Sequence, residues 1–345
     1  MSQHRVGARV SARASVLKAF LSSGVAAGAL ATVLVAGLAW PPSEAAAQCA
    51  PVANAAGPSN TTITCSGIVT NQNSPNGYGT GNQNNDTINV TAGTRVTGNA
   101  SFVSDGFLLG TGNTVNNNGT VTGNLVAIQG SGAPGDITVN NSGTITSATG
   151  DGIFADTTTG TANVTNNAGA TINPGGIAIT GATVNLMNSG TVSTNNMNSA
   201  VAGQKSTMIT NNASGTITNA GAGAFAIASG SGGMNLTNFG MIQETAGSNN
   251  IGLFSTGATT VMNSGTIQVT GTSAIQATAI FTTSGTTTIT NNPGGVIQAT
   301  SPNSIGLVAA SSTASAPAPW PRSTSIMAAR SHRALTDRAS AASAH

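Results

Sequence analysis

Asp151 and Asp156 are the residues whose type and spacing come nearest to chemistry. They are the closest carboxylate pair in the body of the chain and stand in Gly150-Asp151-Gly152-Ile153-Phe154-Ala155-Asp156. Cleavage of a glycosidic bond needs two carboxyl groups facing one sugar linkage, roughly 5 to 9.5 Å apart. The residues between this pair read as a strand, which would hold the carboxylates on the order of 15 Å apart. The neighbouring segments offer no basic residue to grip a sugar, so solvated loop carboxylates are the plainer reading. Calcium is a second use for the same pair, but the Gly-Gly-x-Gly-x-Asp pattern of calcium-binding β-rolls is not met. The three histidines, His4, His332 and His345, all lie outside the repetitive body. That leaves no Ser-His-Asp or Cys-His centre there, and no histidine-based zinc site. No catalytic residue, cofactor site or metal site is expected, and the chain reads as a non-enzyme.

What positions these carboxylates is a repeat. The stretch Val261-Met262-Asn263-Ser264-Gly265-Thr266-Ile267 recurs in variants about every 25 residues. Aligned on Gly119, Gly143, Gly169, Gly190, Gly215, Gly240, Gly265 and Gly294, the copies are spaced 24, 26, 21, 25, 25, 25 and 29 residues apart. Asn and Gly tolerate left-handed backbone angles, so each Asn-x-Gly predicts a sharp corner. The β-branched Thr-Ile or Thr-Val after it suits a strand. A further strand signal lies midway between corners, as in Gly152-Ile153-Phe154-Ala155 and Ile251-Gly252-Leu253-Phe254. Three short strands and three bends in such a period predict one coil of a parallel β-helix. Antiparallel hairpins are the rival, but hairpins do not require the same corner residues at a constant period. In a coil, Asn stacks on Asn of the next coil, and such ladders satisfy amide groups repeatedly.

The expected fold is therefore all-β: a single-stranded parallel β-helix over residues 48–312, preceded by a signal peptide at 1–47 and followed by a tail at 313–345. Nine or ten coils would give a rod on the order of 45 Å long. Only 5% of the residues are charged, while β-branched residues abound, which separates this chain from disordered ones. The net charge of +2 is uneven. Between residues 48 and 310 only Arg95 and Lys205 stand against Asp86, Asp105, Asp136, Asp151, Asp156 and Glu244, so the body carries 2 − 6 = −4. It has no basic patch, and nucleic acid is excluded as a partner. Threonine rows suggest ice binding, but their interruptions speak against it. Phe154, Phe225 and Phe254 fall in the mid-coil strand and are expected inside the core; an outward binding stripe is the alternative. Tyr78 lies in a loop before the first clear coil and has no evident role.

The two ends have their own chemistry. Arg5, Arg9, Arg13 and Lys18 precede an apolar run from Leu21 to Trp40, then Pro41-Pro42 and Ala45-Ala46-Ala47. This is the layout of a cleaved secretory signal, with a single transmembrane helix as the rival. Cys49 and Cys65 are the only cysteines. Gln48 before Cys49 suits a lipoprotein poorly, so a Cys49–Cys65 disulfide tying down the first coil is expected, in an oxidising compartment. Residues 313–345 contain neither Asn nor Gly. The abrupt change suggests a disordered tail or a shift of reading frame near residue 312.

The long signal, the paired cysteines and the Asn-Ser-Gly-Thr-Ile coils together resemble the passenger region of bacterial autotransporters, the type V secreted proteins. The resemblance spans roughly residues 1 to 312. It implies a right-handed coil, transport by the Sec export machinery, and display on or release from the outer membrane. The family's translocator is a barrel of alternating apolar and polar strands. No such strands are recognised here, so a separate outer-membrane β-barrel, or retention in the periplasm, is the matching expectation. The function expected is that of a surface or secreted adhesin-like solenoid without catalytic activity, touching surface glycans or other copies of itself. A carbohydrate-active β-helix enzyme and a truncated remnant without function are the alternatives.

Overall fold

The computed structural model describes residues 48–53, 57–100, 103–245, 250–270, 277–300 and 304–309, with the backbone strands Ser312–Ser315 and Ile326–Ala328. The expected signal segment and most of the expected tail lie outside the described residues. Among the described residues there is no helix; the chain is an all-β parallel solenoid of about nine turns and about 25 residues per turn. At about 4.8 Å per rung the described coils rise roughly 45 Å.

Each turn lays down three strands, and like strands stack into three parallel ladders. The first ladder runs from Thr62–Ser66 through Asn113–Asn117, Ile137–Asn141 and Thr287–Asn291 to the backbone strand Ser312–Ser315. The second is a separate sheet of ten strands, from Ile68–Thr70 to Val296–Ala299. The third runs from Phe107–Leu109 through Ile153–Phe154 and Ile305–Ala309 to the backbone strand Ile326–Ala328. Strands Ile179–Asn188 and Ser199–Asn211 belong to the third ladder at one end and the first at the other, which joins those two ladders into one 20-stranded sheet. The coil holding Ile179–Asn188 is the one with a 21-residue glycine spacing, so its missing residues are the loop between these ladders.

Side chains alternate, as the pleat demands. In Ile137–Asn141 the side chains of Ile137, Val139 and Asn141 are buried while Thr138 and Asn140 face outward. In register, the inward residues form vertical columns. One is Ile63, Ile88, Val115, Val139, Val164, Leu186, Ile209, Leu236, Val261 and Ile289. The second ladder contributes Val69, Val96, Val121, Ile145, Ile172, Val192, Ile217, Ile242, Ile267 and Ile297. Burying such a side chain removes it from water at a gain of roughly 1.5–3 kcal/mol.

Beside these columns runs a buried polar one. Asn117, Asn141, Asn166, Asn188, Asn211, Asn238, Asn263 and Asn291 stack in register. Each Nδ2 donates to the Oδ1 of the asparagine in the next coil, at 2.7–2.9 Å. Along the interior of the column the same Nδ2 reaches the carbonyl of the residue after the next coil's corner, such as Thr144 for Asn117 and Thr216 for Asn188, both at 3.2 Å. The column gives way to Val90 and then Cys65 at the N-terminal end, so its last apolar member is one half of a disulfide.

That end is closed by a cap. Gln48–Ala50 pairs antiparallel with Thr64–Ser66, with Cys49 opposite Cys65 and bonded to it. Gln72 imitates a further strand: its Oε1 accepts from the N–H of Cys49 at 2.7 Å and its Nε2 donates to the carbonyl of Cys49 at 2.8 Å. Tyr78 has a role after all. It is fully buried at the foot of the third ladder, edge-on to Phe107 at 6.2 Å, and its hydroxyl donates to the Pro51 carbonyl at 2.9 Å.

The corner glycines act differently from the expectation. Gly119, Gly143, Gly190, Gly215, Gly240 and Gly265 do not have left-handed backbones. A Cβ on Gly143 would run into the carbonyl oxygen of Gly119 in the coil below, and one on Gly265 into that of Gly240. Bare Cα atoms let neighbouring corners approach this closely. Gly169 and Gly294 are left-handed, with φ of 81° and 85°, and open space where a Cβ would lie. They sit in longer corners; Asn292-Pro293-Gly294-Gly295 has Pro and Gly at the central positions of a type II turn, closed by Gly295 N–H to the Asn292 carbonyl at 2.9 Å. The residues occupying Gly143's place in those coils are Ala170 and Gly295, because Thr144 pairs with Thr171 and Thr266 with Val296.

Two outcomes follow for stability, both measured by urea unfolding. Gly143→Ala should cost roughly 2–4 kcal/mol through its collision with backbone, whereas Gly169→Ala should cost only about 1–2 kcal/mol of left-handed strain. Equal losses would remove the close-approach argument. Asn211→Ala breaks the amide chain in its middle and should cost roughly 2–4 kcal/mol by stranding buried amide groups on both sides; a loss within error would show that the column is incidental.

Candidate functional site

Asp151 and Asp156 stand at opposite ends of strand Ile153–Phe154, on two different corners of the coil. The structure does not bring them together over a common cleft. Asp151 is half-buried and accepts the Ile177 N–H of the next coil at 2.9 Å. Burial raises its pKa, and that hydrogen bond opposes the rise. Asp156 folds back on its own loop, where Oδ1 accepts the N–H groups of Thr158 and Thr159, each at 2.8 Å, and the Thr159 hydroxyl at 3.1 Å. The Thr159 and Thr158 N–H groups hold this carboxyl below the usual range.

The other aspartates of the body show the same habit. Asp86 Oδ1 accepts Thr61 N–H at 2.8 Å, Asp105 Oδ1 accepts Val126 N–H at 3.2 Å, and Asp136 Oδ1 accepts Thr161 N–H at 2.6 Å. With Asp151, each ties its corner to a neighbouring coil. Asn76 does likewise toward Asp105 N–H at 3.0 Å, and Asn250 toward Gly223 N–H at 2.9 Å. Glu244 is fully buried on the inner side of the second ladder, in register between Asn219 and Val269. Asp86, Asp105, Asp136 and Asp151 are thus parts of the coil-to-coil bonding, while Asp156 closes its own loop. Sequence reasoning did not reveal these staples, since each partner lies a whole turn away along the chain.

Among the described residues no group of three or more His, Cys, Asp and Glu side chains converges as a metal site would require. A shallow cleft of about 300 Å³ opens on the third ladder, lined by Leu125, Val126, Gln129, Gly150, Asp151 and Phe154. Its chemistry is one carboxylate, one amide and one aromatic ring. Phe154 pairs directly over Gln129.

The phenylalanines correct the core expectation. Phe154, Phe225 and Phe254 are half-buried on the outer side of the third ladder, because Ile153, Ile227 and Leu253 hold the inward positions. Phe225 stacks on Phe254 with centroids 4.9 Å apart, and Phe254 on Phe281 at 5.9 Å. Phe281 was not singled out from sequence; its direct pairing with Phe254 across coils is what places it. On the second ladder, Thr120, Thr144, Thr171, Thr191 and Thr216 form an unbroken outward column that ends at Met241.

No family model, no curated protein and no solved structure matches this chain.

Asp105 yields a pH prediction. Burial pushes its carboxyl up to about 6 from an ordinary value of 3.8, against the pull of the Val126 N–H. An acid whose folded value exceeds its unfolded one weakens the fold at higher pH, and the penalty disappears below the unfolded value. Stability should therefore rise as pH falls from neutral through about 6 toward 4, with Asp86 and Asp151 shifted the same way. Below that range Asp156, shifted oppositely, loses its anionic cap and reverses the trend. Asp105→Asn should gain on the order of 2 kcal/mol at neutral pH and flatten the profile. Thermal melts across this range, unchanged in wild type and variant alike, would overturn the assignment.

Proposed function

We propose that this chain is an exported, non-catalytic contact solenoid of the autotransporter-passenger kind, with the right-handed coil that the resemblance implies. Residues 1–47 direct it to the Sec machinery, and the solenoid acts outside the cytoplasm, at the cell surface or released from it, by way of an outer-membrane β-barrel. In the periplasm it would stop short of that role. Its partners are surface glycans or further copies of itself, met through many weak contacts along the ladders.

The observation that carries this reading is the first coil. Cys49 and Cys65 are joined where the cap meets the foot of the asparagine column, directly after the apolar segment. Such bonds persist in oxidising compartments and are rare in the cytosol. The placement of Asp151 and Asp156 on different corners supports the non-catalytic part, since acid–base cleavage of a sugar bond needs two carboxyl groups facing one linkage. One feature favours a second reading, a carbohydrate-active enzyme: the cleft in which Asp151 lies beside Phe154 and Gln129.

Expression of the full chain in a Gram-negative host tests the main reading. The expected product begins at Gln48, lies outside the inner membrane, and has Cys49 and Cys65 protected from alkylation until reduced. An unprocessed, reduced chain in the cytosol would refute it. Turnover of a plant or bacterial polysaccharide that disappears with Asp151→Asn would transfer the case to the enzyme.

A further inference from the structure

We infer that the outer face of the first ladder is where a second copy of this chain docks, antiparallel, about a two-fold axis through the rung of Met187. This rests on the contact reading above and names its partner; the export test can fail without touching it.

The face is unusual in what it lacks. Each of ten rungs presents two outward positions, from Thr62 and Thr64 to Thr288 and Thr290. All twenty are threonine, asparagine or methionine, and none is charged. Outward asparagines pair with one another here, as Asn116 to Asn89 at 2.9 Å and Asn140 to Asn116 at 2.8 Å, which keeps the face low and flat. Three methionines break the polar pattern. Met187, Met208 and Met262 are 53%, 55% and 45% exposed; among the ladder strands of the described residues only Ile68, on the end strand of the second ladder, is a more open large apolar side chain. Methionine adapts its shape to a partner at small cost. Two clefts, of about 280 and 440 Å³, lie on this face and share Met208 in their walls.

The area suffices. Ten rungs at about 4.8 Å and strands of five residues at about 3.3 Å give roughly 750 Å² per copy, close to the roughly 800 Å² that a stable interface buries on each side. An uncharged face can meet its own copy without repulsion, although the body carries net negative charge.

Charges on the rim select the direction. Along the edge between the third and first ladders, Asp156 belongs to the coil before Met187 and the exposed Lys205 to the coil after it. A two-fold axis across the Met187 rung, perpendicular to the solenoid, keeps the same edges together and exchanges those two coils. Asp156 of each copy then faces Lys205 of the other, and Met187 faces Met187. A parallel arrangement would instead set this edge against the opposite one and leave both charges without a mate.

Sedimentation equilibrium on the full chain tests the interface. A dimer is expected between micromolar and submillimolar concentration. Met187→Lys should weaken it by at least about tenfold, and Lys205→Glu should weaken it in a salt-dependent way, while Thr146→Lys on the second ladder should leave it unchanged. Met187→Cys should form an intermolecular disulfide under mild oxidation, and Met262→Cys, three rungs from the axis, should not. Circular dichroism on each variant guards against misfolding. A monomer throughout, or a dimer indifferent to Met187→Lys, overturns the proposal; cross-linking by Met262→Cys as efficient as by Met187→Cys overturns the antiparallel axis.

Discussion

The rest of the structure depends on an amide column inside the core. A buried carboxamide without partners costs a few kcal/mol, and Asn117 through Asn263 are fully buried. They are tolerable only because the rung spacing lets the Nδ2 of one reach the Oδ1 of the next. That condition is strict along the axis and weak elsewhere. A slip of one residue would turn every asparagine outward and bring a neighbouring side chain in. The column therefore sets the register of the coils, while apolar columns such as Val69 to Ile297 provide most of the driving force.

A fixed register does not require a fixed coil length. The glycine spacing varies from 21 to 29 residues, and the variation is absorbed between the ladders. Loss of a loop makes Ile179–Asn188 continuous across two ladders; one extra residue forms the bulge in which Gln204 and Lys205 stand opposite Ala182. Corners come in two sizes as well. Asn141-Ser142-Gly143-Thr144 takes the shortest path, and Asn166-Asn167-Ala168-Gly169-Ala170-Thr171 inserts a complete turn, yet both return the chain to the same place over the previous coil. Carboxylates of Asp105, Asp136 and Asp151 fasten the remaining corners to neighbouring coils. At the lower end, the strand Gln48–Ala50, the disulfide, Gln72 and Tyr78 satisfy a sheet edge that would otherwise be open to pairing.

With the interior determined by columns, the outward positions are free to differ from ladder to ladder. The first carries Thr, Asn and Met without charge, the second a threonine column, and the third a stack of Phe225, Phe254 and Phe281 beside a small cleft at Asp151. Asp86, Asp105, Asp136 and Asp151 hold coils together, while Asp156 closes its own loop.

The architecture follows from local signals along the chain. The period, the Asn-x-Gly corners and the β-branched residues after them are local signals, and repetition multiplies each one until only a stacked coil accommodates them all. Even the asparagine ladder and the Cys49–Cys65 pair were legible, because identical residues at one period must coincide in space. How each residue is used depends instead on its neighbours in the folded coil. Whether Gly143 is needed for its backbone angle or for closeness to Gly119 depends on the coil beneath it. Whether Phe254 points in or out depends on which neighbour, Leu253 or Phe254, falls on the core side of the pleat. Tyr78 and the aspartates acquire roles from partners some 20 to 30 residues away. Such partners are adjacent only after the chain has completed a turn, and no local pattern records them.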